Sequence, residues 1–145
     1  MTESTLRSQI DDPSWVLKPI TEINGVLHAL IISIDGMEVG ASEGLSRDDA
    51  EGIAAMTSAL HGAARSAANK VLGAPGRTPV TTITVQTDHG TFMLMPAGAR
   101  SNAFVAVAGG PDMPMGVVAH TMAKQASKLG EQLMSVPVRG TDASA

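Results

Sequence analysis

The dipeptide Asp35-Gly36 lies between two apolar runs and constrains the fold of this chain more than any other sequence feature. Residues 26–34 before it and residues 37–41 after it are rich in the branched apolar side chains that strands favour. An Asp-Gly pair supplies the positive φ angles of a two-residue hairpin loop. The sequence therefore predicts that the first two strands pair antiparallel, which favours an antiparallel sheet over an alternating parallel one.

A short helix is predicted before this hairpin. Asp12 has the side chain of an N-cap, Pro13 suits the first helical position, and the dipeptide Asn24-Gly25 ends the helical spacing of apolar residues. Pro19 lies inside the segment, where its ring removes a backbone hydrogen bond and clashes with the preceding turn. We therefore expect this helix to be kinked or to start late.

A long helix and three further strands are predicted after the hairpin. Ser46 is the expected N-cap, with Asp49 completing a weak capping box, and the helix should run to Leu72 and stop at Gly73. Turn residues then alternate with apolar runs, which predicts strands over 80–86, 91–95 and 103–108 and a last helix over 114–134. This order of elements favours an α/β (α+β) fold, with an antiparallel sheet and helices on its faces.

Length and composition indicate one domain and exclude several classes of protein. A chain of 145 residues suffices for a single core, which we assign to residues 13–135, between tails predicted to be flexible at 1–12 and 136–145. The net charge of −4 leaves no basic field for nucleic acid, and the absence of cysteine excludes disulfides and Cys-ligated metals. No secretory signal and no apolar stretch of roughly 20 residues occur. We therefore expect a cytoplasmic protein that does not insert into membranes and reaches them through partners.

Catalytic and cofactor-binding motifs are missing from the sequence. The four histidines occur in different predicted elements, and none has a second histidine or a carboxylate at a metal-ligand spacing. The segment 73–78 lacks the Lys-Ser/Thr ending of a phosphate loop, and Gly109-Gly110 does not extend to a dinucleotide motif. No serine lies in a G-x-S-x-G elbow. We therefore expect no enzyme activity, no cofactor and no metal.

The long helix presents two different faces. An arc of about 80° is expected to pack on the sheet and carries Ile53, Met56, Leu60, Ala64, Ala67 and Val71. The opposite side has small side chains and almost no long charged one, and it carries Ala55, Ser58, Ala59, Gly62 and Ser66. Small residues four positions apart let a second backbone approach closely, so this side is predicted to pair with the same helix of a second chain. The alternative is a face sandwiched within its own monomer or left exposed.

Four short sequence motifs follow one another in the first half of the chain. They are Gly25-Val26, Ser33-Ile34-Asp35-Gly36, the run ASEGL at 41–45 and the run RDDAE at 47–51. Their order and spacing resemble the N-terminal half of roadblock/LC7 proteins, especially the actinobacterial members encoded beside a Ras-like GTPase in conserved operons called conservons. The last predicted helix, GVVAHTMAKQASKLGEQL, is similar to the last helix of that family. The resemblance covers about residues 14–134.

The resemblance implies both a fold and a function. The implied fold is a five-stranded antiparallel sheet with one helix on one face and two on the other, in the order α-β-β-α-β-β-β-α. The implied assembly is a homodimer in which the middle helices pair and the third strands, at Thr82 and Thr84, continue the sheet. The implied function is a non-enzymatic regulator or platform for a small Ras-like GTPase in a signalling complex, with a histidine-kinase-like sensor of the same operon as a further partner. A general scaffold of the motor-light-chain type and a ligand-sensing module remain alternatives.

Three arginines are candidates for contact with such a GTPase. Arg47 and Arg65 flank the middle helix, and Arg100 lies in a connection between strands. GTP hydrolysis needs positioning and charge stabilisation, which a partner provides either by inserting an arginine or by ordering the residues of the GTPase itself. The ordering mechanism is the preferred hypothesis, because surface arginines are more commonly solvated charges.

Overall fold

The computed structural model describes residues 14–75, 78–98 and 102–135. The elements are α1 (Ser14–Thr21), β1 (Val26–Ser33), β2 (Glu38–Ala41), α2 (Arg47–Leu72), β3 (Ile83–Thr87), β4 (Gly90–Pro96), β5 (Ala103–Gly109) and α3 (Met115–Ser135). This is the predicted order α-β-β-α-β-β-β-α. The predicted tails at 1–12 and 136–145, and the Asp12 and Pro13 start of the first helix, lie outside the described residues.

The strands form one antiparallel sheet in the order β2-β1-β5-β4-β3. The face under α2 is built from the cross-strand neighbours Leu30, Ala106 and Leu94. The face under α1 and α3 is built from Ile31, Val105 and Met95. One helix therefore covers one face and two helices cover the other, as predicted, and β2 and β3 are the edge strands.

The larger core lies between the sheet and the two terminal helices. The apolar stripe of α3 is fully buried at Val118, Met122 and Leu129. Val16 and Ile20 of α1 are fully buried in the same cluster. Burial of a Val, Ile, Leu or Met side chain contributes about 1.5–3 kcal/mol, so this side of the sheet supplies most of the hydrophobic stabilisation within the described chain.

The turn between β1 and β2 differs from the predicted two-residue loop. Gly36 has a φ of +92°, whereas the described chain has no residue other than glycine with a positive φ. The amide of Gly36 donates to the carbonyl of Ser33 over 3.0 Å, and the amide of Ser33 donates to Met37 over 2.8 Å. The loop therefore has three residues with glycine in the left-handed position, because the Asp35 backbone stays in the ordinary region.

The ends of α2 match the sequence prediction. The Ser46 side chain accepts a hydrogen bond from the amide of Asp49 at 3.1 Å, which satisfies one of the free donors of the first turn. Gly73 adopts a left-handed φ of +61°, and its amide donates back to the last turn. These two caps fix a helix of 26 residues.

Pro19 lies inside α1, and a side chain of α3 supplies the hydrogen-bond donor that the proline lacks. Proline has no N–H, so the carbonyl of Trp15 cannot receive its usual donor from four residues on. The Nε2 atom of Gln125 donates to the Trp15 carbonyl at 3.0 Å and to the Val16 carbonyl at 3.2 Å. Gln125 is itself buried, and its amide therefore fastens the first helix to the last one.

Candidate functional site

The buried row of α2 is rotated from the predicted one. Ala50, Ala54, Thr57 and His61 are the buried residues of this helix, and their small or flat side chains let it lie close to β1 and β5. Met56 is 67% exposed and Val71 is 82% exposed, so the predicted packing stripe is wrong at these positions. The larger apolar residues of α2 border the sheet contact instead of forming it.

An apolar groove runs along the border between α2 and the sheet. It has a volume of about 380 Å³. The lining comes from α2 and from the strands β1, β4 and β5, and consists of His28, Leu30, Ile53, Met56, Thr57, Leu60, Phe92 and Ala108. An exposed apolar groove of this kind marks a binding site for a ligand or for another chain.

The groove continues onto a half of the sheet that α2 does not cover. Phe92 pairs with Ala108 on one side and with Val85 on the other, so these side chains share a face. Val85 is 38% exposed, and Ile83 beside it is half-buried. Beyond them β3 is the sheet edge, and an edge strand presents backbone groups that can pair with another strand.

Thr82 and Thr84 lie at this edge. Thr84 belongs to β3 and Thr82 immediately precedes it, and both are exposed. The structure therefore places these two predicted interface residues where a second strand could add to the sheet. Their role in a dimer stays a prediction.

The small-residue side of α2 points away from the groove. Ala55, Ala59, Gly62 and Ser66 are exposed, and a Cβ added at Gly62 would meet nothing within 4 Å. Ser58 differs from them, because its hydroxyl donates to the carbonyl of Ile34 at 2.8 Å. The predicted interface residues thus form one surface, with Ser58 engaged by the β1–β2 turn of its own chain. Their pairing with a second helix stays a prediction.

The C-terminal part of α2 extends past the contacts that hold its beginning. Among the described residues 62–72, none is buried. Val71 and Leu72 are 82% and 76% exposed, close to the end of the helix. A helix that exposes apolar residues over its last three turns lacks the burial from which most helical stability derives.

The candidate arginines occupy different environments. Arg47 forms an ion pair with Glu51 one turn along the helix, at 3.2 Å, with both side chains largely exposed. Arg65 is half-buried on the same helix. Arg100 lies outside the described residues. The exposed pair at Arg47 contributes little to stability, so Arg65 is the described arginine with the more constrained surroundings.

The pKa of His61 on α2 is displaced from its usual value. Its ring packs on Phe104 of β5, with the ring centroids 4.5 Å apart and the planes inclined by 49°. Burial lowers the pKa of His61 below its usual 6.5, and the positive charge of Arg65 lowers it further. The neutral imidazole therefore belongs to the folded state.

Replacing His61 by Gln is expected to flatten the acid side of the stability profile. The unfolded chain binds the proton at the usual pKa and the folded chain only at a lower one, so stability is complete above about pH 6.5 and falls as the pH drops below it. Urea unfolding of both proteins at about pH 7.5 and about pH 5.5 measures this difference. An equal loss of stability in wild type and His61→Gln would contradict the assignment.

Neither a metal site nor a membrane span is found in the described parts of the chain. No group of three or more His, Asp or Glu side chains there is placed to hold a metal ion. No helix among those residues is long and apolar enough to cross a membrane. The groove, the β3 edge and the small-residue side of α2 are therefore the features from which function is inferred.

A family model decides the classification. The Roadblock/LC7 domain model matches residues 15–107, which include nearly all of α1, the strands up to Val107 and the whole of α2. The chain belongs to the Roadblock/LC7 family. No match is found among curated proteins.

Solved structures share the Roadblock/LC7 fold with this chain. The Roadblock/LC7 domain from Streptomyces avermitilis superposes with a TM-score of 0.74 at 26% identity, over 85% of this chain and 98% of that one. The gliding protein mglB from Thermus thermophilus gives 0.72 at 19% identity, over 86% and 90%. A structure described as MglB with tetrameric arrangement gives 0.72 at 20% identity, also over 86% and 90%. At 19% and 20% identity, the similarity to the last two structures shows a shared fold and nothing further.

Sequence reasoning did not predict the groove in this Roadblock/LC7 domain. His28 and Ala108 were not singled out, although they lie on the same sheet face as Leu30 and Ala106. The period-2 alternation along β1 and β5 carried that signal. The alternation does not show which positions of this sheet face α2 covers. His28 and Ala108 lie at the edge of the contact between α2 and the sheet.

Proposed function

We propose that this Roadblock/LC7 protein is a homodimeric platform for a small Ras-like GTPase, without enzyme activity of its own. One observation carries the proposal: an apolar groove, an uncovered half-sheet and a free strand edge lie side by side. Family membership supports the regulatory role, because roadblock proteins serve as such platforms. The neighbour described as having a tetrameric arrangement supports self-association of the fold.

A homodimer with its twofold axis beside β3 would cover the groove, the uncovered half of the sheet and the strand edge together. Two β3 edges pairing antiparallel would join the sheets, so neither edge remains open. The overhanging residues 62–72 of each α2 would then reach the half-sheet at Val85 and the groove at Met56 of the other chain. Each copy thus has both the surface that needs covering and the helix that can cover it, as an isologous interface requires.

We propose that the small-residue side of α2, which the sequence predicted to pair with the same helix of a second chain, binds the GTPase instead. In a dimer closed through the groove, Ala59 and Gly62 remain on the outer side of the helix. Their short side chains would let a partner's backbone approach closely. Arg65, the half-buried arginine of the same helix, adds a positive charge for an acidic group of the partner.

The proposed mechanism is ordering of the GTPase's own catalytic residues. An inserted arginine accelerates hydrolysis by about 10³–10⁵-fold where it is used. Arg47 is engaged by Glu51 and Arg65 is half-buried, so neither extends freely as an inserted cation in the described chain. A docking platform that fixes the switch residues needs no cation of its own.

GTP turnover tests this function. The Ras-like GTPase expected beside the gene is assayed with and without this protein, and then with Arg47→Ala, Arg65→Ala and Arg100→Ala. We expect stimulated turnover that persists in all three variants at saturating concentrations of this protein, because ordering depends on the docking surface, and Arg65→Ala is expected only to raise the concentration that half-maximal stimulation requires. Loss of stimulation at saturating concentrations of a single variant would identify an inserted arginine instead.

The same assay separates the platform from its alternatives. Binding without any change in turnover would leave a scaffold of the motor-light-chain type. Absence of both binding and stimulation would contradict the GTPase proposal altogether. A histidine-kinase-like sensor of the same operon is proposed as a second partner, and a cytoplasmic location with membrane contact through such partners is proposed with it, both on the family resemblance.

A further inference from the structure

The sulfur atom of Met115, the first residue of α3, accepts two hydrogen bonds from the β3–β4 hairpin. The Nε2 atom of Gln86 on β3 donates to it at 3.4 Å, and the hydroxyl of Thr91 on β4 donates to it at 3.8 Å. A thioether sulfur is only a weak acceptor. Two protein donors aimed at one sulfur therefore suit a stronger acceptor at the same position.

The distances fit an oxygen atom bonded to this sulfur. A sulfoxide oxygen projects from the sulfur at an angle, so donors 3.4 and 3.8 Å from the sulfur lie about 2.6–3.0 Å from that oxygen, which is ordinary hydrogen-bond distance. Gln86 and Thr91 are opposite each other on the paired strands, and both reach the sulfur from the same side. One of the two sulfoxide epimers therefore directs its oxygen toward both donors, and the other does not.

Met115 is also accessible to a small oxidant. It is half-buried at the start of α3, whereas Met93, Met113 and Met122 are buried. Met37 is more exposed than Met115. Within the described residues, however, hydrogen bonds to a methionine sulfur occur only at Met115. Accessibility and a pair of donors therefore coincide at this residue.

We propose that Met115 is a site of reversible oxidation by hydrogen peroxide, at which Gln86 and Thr91 bind the sulfoxide oxygen. The sulfur lone pair attacks one peroxide oxygen, and the O–O bond breaks as the S–O bond forms. The departing hydroxide takes the proton of the transferred oxygen and leaves as water. The sulfur thus loses two electrons and the peroxide is reduced. Both donors stabilise the negative charge that the transferred oxygen gains, so they favour the same epimer during the reaction and in the product.

The sulfoxide is expected to hold the start of α3 to the β3–β4 hairpin. Oxidation of a methionine in a core disrupts packing, because a polar oxygen is buried without a partner. At Met115 the oxygen has two donors and lies at a half-buried position. The fold is therefore retained, and a sulfoxide reductase restores the thioether. The inference is independent of the proposed dimer and GTPase, because all three side chains belong to one chain.

Analysis of the sulfoxide epimers tests this site. The full chain is treated with hydrogen peroxide and digested, and the Met115 peptide is incubated with reductases that each accept one epimer. We expect one epimer in about tenfold excess, because two hydrogen bonds of ordinary strength support it. The double variant Gln86→Leu/Thr91→Val should form both epimers in near-equal amounts. Met37, in the same samples, is the control and should give near-equal epimers in both proteins.

Urea unfolding of the wild type and of Met115→Leu, before and after peroxide treatment, provides a second measurement. All other methionines are common to the two proteins, so the difference between their shifts reports on position 115. We expect the midpoint of the wild type to fall no further than that of Met115→Leu. A larger fall would show that the sulfoxide disrupts packing and would overturn the proposal.

Three results of the epimer analysis would also overturn it. Near-equal epimers at Met115 of the wild type would show that the donors do not direct the oxygen. An excess that persists in Gln86→Leu/Thr91→Val would assign the selection to the shape of the surface. Absence of oxidation at Met115 under conditions that oxidise Met37 would show that peroxide does not reach the sulfur.

Discussion

Met56→Asp is expected to weaken the dimer about 100-fold, which corresponds to about 2.7 kcal/mol. Met56 is 67% exposed in the single chain, so an aspartate there is tolerated by the monomer. In the proposed dimer the same position lines a closed apolar groove, where a carboxylate loses its hydration without gaining a partner. Sedimentation velocity over a dilution series measures the change in Kd, with circular dichroism to verify that the monomer is folded.

Ala59→Asp is the matched control, since Ala59 lies on the same helix, three residues on, and is also exposed. It introduces the same charge on the small-residue side, and we expect the dimer to persist while stimulation of the GTPase is lost. The reverse outcome, with Ala59→Asp dissociating the dimer and Met56→Asp leaving it intact, would place the interface on Ala55, Ser58, Ala59, Gly62 and Ser66. The pair of variants therefore decides which side of α2 meets the second chain.

Gly130→Ala is expected to destabilise the fold by about 1–3 kcal/mol, although alanine is the better helix former. A Cβ at position 130 would lie 2.7 Å from the carbonyl oxygen of Ala97 and 3.2 Å from the Cα of Gly98. Both contacts are with backbone, which cannot rotate away as a flexible side chain does. The helix α3 would have to move off the strand end, and urea unfolding measures the cost.

Gly62→Ala provides the comparison within another helix interior. Because nothing lies within 4 Å of a Cβ at position 62, this substitution should stabilise the chain by about 1 kcal/mol through helix propensity alone. The two glycine variants are therefore expected to change the free energy of unfolding in opposite directions. Equal stabilisation by both would show that α3 packs less closely on residues 97–98 than described.

Local signals in the sequence predicted the order of the elements and both ends of α2, whereas β3 begins at Ile83 and not at the predicted residue 80. Ser46 and Gly73 cap α2 where a polar side chain and a left-handed glycine were expected, because capping depends on only a few neighbouring residues. The β1–β2 hairpin followed from the Asp35-Gly36 pair between two apolar runs. The family resemblance, which rests on short sequence motifs in a fixed order, then predicted the five-stranded sheet and the number of helices on each of its faces.

The orientation of α2 could not be obtained in the same way. A helical wheel groups apolar residues, but it does not distinguish those that face the chain's own sheet from those that border a second chain. Met56 and Leu60 are apolar and line the groove, whereas the alanines at 50 and 54 make the close contact with the sheet. The prediction gave most weight to the larger apolar residues, so the predicted packing stripe was centred on the side of α2 that lines the groove.

The hydrogen bond that makes up for the missing N–H of Pro19 could not be predicted from the sequence either. Pro19 predicted a kinked or late-starting helix, whereas α1 runs without a break from Ser14 to Thr21. The amide that replaces this donor comes from Gln125, more than a hundred positions along the chain. No local pattern relates a glutamine in the last helix to a proline in the first.

The position of β1 has a consequence for biosynthesis. β1 lies inside the sheet between β2 and β5, and its partner positions run from Ala103 to Gly109. During translation the first hairpin therefore emerges with one edge of the apolar strand β1 open, and the backbone N–H and C=O groups of that edge stay unpaired until the final strand has left the ribosome. Late pairing of distant segments slows folding and leaves such an edge open to association with other nascent chains. Newly made chains of this protein are thus most in need of chaperone protection from the synthesis of residue 42 until residues 103–109 have left the ribosome.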